Sequence, residues 1–134
     1  MAGDQVAAGC HKCLILVSSL QHSAQQEAEQ RRCRDLMNAM GLEFEEMDCA
    51  DDTNTEKRDF LFGLSERKSV YPQIFLEGEQ GCKFVGMWSD IEQLIEMNDL
   101  PPDFLSKHPE IKTFDQVFKG VSRGMPTHNL PSVW

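Results

Sequence analysis

The chain has 134 residues, 40% apolar and 26% charged, which is enough for one globular domain with its own core and too short for two. Its formal net charge of −9 repels phosphate backbones and anionic lipid, so neither nucleic acid nor a membrane is an expected partner. The longest apolar run, Cys13 to Val17, falls far short of a membrane helix of about 18 residues, residues 1–9 read as no secretory leader, and neither Ala2 nor the C-terminal residues offer a lipidation motif.

In chain order, Cys13-Leu14-Ile15-Leu16-Val17 predicts a strand covered on both faces. From about Ser23, the spacing of Cys33, Leu36, Met37 and Met40 predicts an amphipathic helix, with Glu27, Glu29, Gln30, Arg31 and Arg34 on its polar face and Gly41 as its stop. Leu42-Glu43-Phe44-Glu45 alternates as a half-exposed strand does. Thr53 and Glu56 form a capping box before Phe60, Leu61 and Leu64, which predicts a second helix to about Arg67. Gln73-Ile74-Phe75-Leu76 and Cys82-Lys83-Phe84-Val85, separated by Gly78 and Gly81, are spaced as a hairpin. Ser89 with Glu92 repeats the capping box, and Ile91, Leu94 and Ile95 supply a buried stripe that ends before Pro101-Pro102.

This order, β-α-β-α-β-β-α, predicts an α/β domain over 13–100, preceded by an arm at 1–12 and followed by a mostly irregular extension at 101–134. The charge divides at the same place, −10 over residues 1–100 and +1 over 101–134. The extension is broken by prolines, yet Phe104, Leu105, Ile111, Phe114, Val117 and Phe118 are too apolar for an inert linker, and a short helix is expected near Thr113–Lys119.

The element order, with Ser69-Val70-Tyr71-Pro72-Gln73-Ile74-Phe75 and Val85-Gly86-Met87-Trp88-Ser89-Asp90, resembles the glutaredoxin branch of the thioredoxin superfamily. Leu42-Glu43-Phe44-Glu45-Glu46-Met47-Asp48, the Tyr71–Phe75 stretch and a serine-bearing first loop make it most similar to the SH3-binding glutamic-acid-rich-like proteins, over residues 13–100. The resemblance implies a thioredoxin-like fold with a four-stranded mixed sheet. It also implies a cis Tyr71–Pro72 bond and traces of a glutathione site at Tyr71, Pro72, Ser89 and Asp90, although Trp88 departs from the small residue usual there.

A thiol-disulfide oxidoreductase of this fold needs a cysteine at the turn after the first strand, where a helix N-terminus favours the thiolate. That turn reads Ser18-Ser19-Leu20-Gln21-His22-Ser23, and a hydroxyl does not exchange with disulfides. The sequence has one C-x-x-C, Cys10-His11-Lys12-Cys13, but it precedes the strand and lies about 15 Å from the family's active position at a rise of about 3.3 Å per residue. It carries the alternative reading, a thiol oxidoreductase or glutathione-binding protein using Cys10 and Cys13. As a metal site the motif supplies two of the four ligands zinc takes, with no matching second pair, so no metal is expected. Cys33, Cys49 and Cys82 fall within element patterns as packing thiols, and five cysteines in a chain this large point to a reducing compartment.

None of the six prolines lies three positions from another, so no PxxP is present and binding to SH3 domains is not carried over from the resemblance. The expectation is therefore a non-catalytic interaction module without a cofactor, an adaptor or structural subunit of a cytoplasmic or cytoskeletal assembly. Protein partners are expected at 101–134, with Phe104, Leu105, Phe114, Phe118 and Trp134 as contact residues.

Overall fold

The computed structural model describes residues 10–20 and 23–122. Its elements are β1 (Cys10–Val17), α1 (Ala24–Ala39), β2 (Phe44–Asp48), α2 (Thr55–Ser65), β3 (Gln73–Gly78), β4 (Gly81–Met87), α3 (Trp88–Met97), α4 (Pro102–Lys107) and α5 (Phe114–Val117). The strands form one mixed sheet in the order β2-β1-β3-β4, with β1 parallel to β2 and both other pairings antiparallel. This α/β architecture is compatible with a thioredoxin-like fold.

The two-residue period of β1 divides the core. Leu14 and Leu16 join Met47, Leu61, Phe62, Tyr71 and Phe75 on the face covered by α2. Cys13, Ile15 and Val17 join Cys33, Met37, Ile74, Trp88 and Ile91 on the face covered by α1 and α3. A strand buried on both faces reads as the continuous apolar run seen at 13–17.

The end of α1 follows from Gly41, whose φ of +75° suits a residue without Cβ. The Leu42 N–H donates to the Met37 carbonyl and the Gly41 N–H to the Asn38 carbonyl, both at 3.0 Å. Met37 and Leu42 then pack in the same core, the apolar contact that accompanies this type of helix stop.

Five sequence expectations are corrected. The first strand begins at Cys10, not Cys13, because β3 is long enough to pair back to it, with Cys10 opposite Gly78. Gln30 is buried instead of lying on the polar face of α1. Thr53 does not cap α2. Asp51 instead accepts the Thr53 N–H at 2.9 Å and starts a single 3-10 turn, Asp52–Asn54, that leads into the helix. Ser89 does not cap α3, whose cap is Met87, two residues earlier, so that the helix begins at Trp88, with Asp90 accepting the Met87 N–H at 2.8 Å.

The fifth correction concerns the extension. Phe114 and Phe118, expected at a partner surface, have no exposed area and stack on each other at 4.3 Å within the main core. Thr113 caps α5 by accepting the Gln116 N–H, the Asp115 N–H donates to Asn98 Oδ1 at 3.2 Å, and Ser122 accepts the Glu43 N–H at 3.0 Å just before β2. Packing on this core thus continues across residue 100 to Val121. The expected helix near 113–119 is present as α5, and α4, which the prolines concealed, opens with Pro102 in its first turn.

Candidate functional site

Register brings the candidate residues to one end of the sheet. Val17 pairs with Asp48, Leu16 with Gln73, and Gln73 with Met87. The turn after β1, the end of β2, the Tyr71–Pro72 corner before β3 and the start of α3 therefore share that end. The opposite end carries Cys10, Gly78 and Gly81.

In the turn after β1, Ser18 is 5% exposed and held from both sides. Its N–H donates to Gln30 Oε1 at 2.8 Å, and Gln30 Nε2 donates back to the Ser18 carbonyl at 3.3 Å. The Ser18 hydroxyl exchanges 3.2 Å hydrogen bonds with the backbone of Leu20, a side-chain turn that fixes the loop. Ser23 caps α1 by accepting the Gln26 N–H at 3.0 Å. Each of these groups is used in holding the turn.

Asp48 binds the next residue along. Its Oδ1 accepts the N–H of Ser19 at 3.0 Å and of Ala50 at 2.9 Å. Burial pushes its carboxyl upward, but these bonds and one from the Ser19 hydroxyl outweigh burial and hold it below the ordinary carboxylate value. A carboxylate so stabilised is a weak base and does not activate the Ser19 hydroxyl. The groove beside the turn, about 430 Å³, is lined by Ser18, Ser19, Gln30, Arg31 and Asp48 among others, and no cysteine or histidine among the described residues lines it. Arg34 at its margin is already engaged with both carboxylate oxygens of Glu46.

The four positions at which the resemblance implies traces of a glutathione site are brought to the same end of the sheet. Tyr71–Pro72 is cis, as the resemblance implies, and both residues are buried. Burial, together with a contact to the Cys49 thiol, pushes the Tyr71 phenol up to about 12. Ser89 and Asp90 are exposed in the first turn of α3, but the Asp90 carboxylate serves as that helix's own cap. Asp90 also packs so closely on the end of β4 that a Cβ built at Gly86 would lie 2.6 Å from Asp90 Cβ. Trp88, in place of the small residue, is 8% exposed and forms part of the core.

The C-x-x-C does not form an arm. Cys13 lies inside β1 with no exposed area, and burial pushes its thiol up to about 12. Burial likewise pushes Cys33 to about 12 and Cys49 to about 11, and Cys82 is half-buried. Among the described residues no group of three or more His, Cys, Asp or Glu side chains is placed to hold a metal ion, and no helix is long and apolar enough to cross a membrane.

Of the expected partner residues, Phe104 is 42% exposed with its ring on His108 at 4.3 Å, Leu105 is half-buried, and Trp134 lies outside the described residues. Gln30 and Asp48, which hold the turn, escape a search for reactive groups. Gln30 nonetheless sits three residues before Cys33, on the same helical stripe as the core positions, and that spacing is a signal for it.

No protein-family model matches the chain, and no curated protein matches it at a significant level.

Proposed function

We propose that the chain is a non-catalytic, glutaredoxin-like protein-interaction module, an adaptor or structural subunit of an intracellular assembly. The observation that carries this reading is the turn after β1. Serine stands where thiol chemistry needs a cysteine, and Gln30, Asp48 and Leu20 engage its polar groups so that it serves as a structural corner. The thiols of Cys13, Cys33 and Cys49 add support, since buried thiols pushed to about 11 or 12 are almost entirely un-ionised at neutral pH.

Within 101–134, the packing moves the proposed partner surface away from Phe114 and Phe118 and onto exposed α4. Phe104 is its most accessible apolar side chain. The test is quantitative affinity capture from cell extract with the wild type and Phe104→Glu, after circular dichroism shows equal folding. Partners retained by the wild type and lost by the variant support the reading. An identical set with both proteins would remove α4 from it.

A further inference from the structure

Several hydroxyl groups outside the turn are engaged in holding the fold. Ser23 and Thr113 cap helices by accepting the Gln26 and Gln116 N–H groups. The Thr53 hydroxyl donates to Asp51 at 2.8 Å, and the Ser106 hydroxyl donates to the Asp103 carbonyl at 2.8 Å inside α4. Ser69 is placed differently. It lies among residues 66–70, all exposed, in the irregular segment that joins α2 to β3, and its φ of +59° belongs to neither helix nor strand.

The residues before it single it out again. Arg67 and Lys68 stand immediately before Ser69, and no other Ser or Thr of the chain follows two basic residues. Thr113, with Lys112 before it, is 5% exposed. Arg67 and Lys68 are both exposed, and among the described residues neither has an ion-pair partner. The groove that Ser69 lines also carries Arg58, Asp59, Glu66 and Lys68. With Arg67, this neighbourhood holds three cations against two carboxylates, and Asp59 is already paired with Arg58 at 3.0 Å. It is a locally positive patch on a chain of net charge −9.

Charge and access together point to one class of enzyme. A kinase that selects basic residues beside its acceptor does so with carboxylates in its cleft, which attract this patch and repel the acidic remainder of the chain. It also draws the acceptor into an extended conformation, for which α3 would have to open at Ser89 and α4 at Ser106. At Ser69 the loss is confined to a few hydrogen bonds. One joins its hydroxyl to the Tyr71 phenol, and two run from Gln73 Nε2 to the Arg67 and Val70 carbonyls at 3.0 and 2.9 Å.

We propose that Ser69 is the phosphoryl acceptor for a basic-directed protein serine kinase. The Ser69 Oγ attacks the γ-phosphorus of ATP, and the new Oγ–P bond forms as the bond to the β–γ bridging oxygen breaks. ADP leaves with that electron pair, and the hydroxyl proton passes to the kinase's carboxylate base. The product carries about two negative charges, in a groove where Arg58 and Lys68 are present to receive them.

The test incubates the folded full chain with ATP and, separately, with purified basic-directed, acid-directed and proline-directed serine kinases, and locates phosphate by peptide mass spectrometry. The expected result is transfer of one phosphoryl group to Ser69 by the basic-directed kinase and none there by the other two. Ser69→Ala is expected to abolish the transfer. Arg67→Ala/Lys68→Ala is expected to lower kcat/KM at Ser69 by about tenfold or more at an unchanged melting temperature, and Arg67→Lys/Lys68→Arg to preserve it. Four outcomes would overturn the proposal: no phosphate at Ser69 with the basic-directed kinase, equal transfer by the acid-directed one, modification of Ser89 or Ser106 at a comparable rate, or a rate at Ser69 indifferent to Arg67→Ala/Lys68→Ala.

Discussion

Phe118→Ala tests whether the segment after Pro101-Pro102 is part of the core. Phe118 has no exposed area and stacks on Phe114 at 4.3 Å with 20° between the rings, beside the equally buried Met37, Ile91 and Cys33 in one cluster. Truncating a phenylalanine so placed costs about 3–5 kcal/mol through lost transfer energy and the cavity left behind. With a urea m-value of about 2 kcal/mol/M for a domain of this size, the midpoint falls by roughly 1.5–2.5 M. Against a typical total of about 5–15 kcal/mol, this is a loss large enough to stand well clear of the wild-type transition. The matched control is Phe104→Ala, 42% exposed and expected within about 0.5 kcal/mol of the wild type. Equilibrium urea unfolding followed by circular dichroism reads both. A Phe118→Ala midpoint equal to that of the control would refute the packing of α5 described above.

Alkylation of the native protein at pH 8 with mass-spectrometric readout should leave Cys13, Cys33 and Cys49 unmodified, since thiols near 12 and 11 are ionised there to about one part in ten thousand and one part in a thousand, and urea should expose all three. Asp48 is held below its ordinary value, so the stability it contributes is fully present above about pH 4 and is lost as pH falls through its folded value. Asp48→Asn should therefore lower stability most at pH 7 and approach the wild type as pH falls, and a gap that does not narrow on acidification would contradict this. Gly86→Ala should cost about 1–3 kcal/mol by thermal unfolding, because its Cβ would lie 2.6 Å from Asp90 Cβ, and an unchanged melting temperature would show that α3 does not approach β4 so closely.

The elements most legible in the sequence are those whose residues answer to a local rule. Leu14 to Val17 is apolar because both faces of β1 are covered, and Gly41 stops α1 because the Met37 and Asn38 carbonyls are taken by the two amides that follow. What escaped the sequence depends on partners distant in the chain. The strand runs back to Cys10 through a polar Lys12, which is accommodated by Glu45 at 2.9 Å and Glu77 at 3.9 Å on the neighbouring strands. Phe114 and Phe118 already had helical spacing, but four nearby prolines concealed that they belong to the same core as Cys33 and Met37. At the candidate site, the sequence already showed that the turn after β1 holds serines and no cysteine. The reason the serines are not free to act was not visible, because it lies in Gln30 and Asp48, side chains brought to the turn from α1 and β2.

Turnover is the most direct measure of the central claim. Glutathione-dependent reduction of a small mixed disulfide should be assayed with the full chain, with Cys10→Ser/Cys13→Ala, which spares the core a buried hydroxyl, and with an active glutaredoxin as positive control. The account predicts a rate at buffer background for both forms of this protein. A rate above background in the wild type that disappears in the double variant would contradict it and place thiol chemistry at the far end of β1.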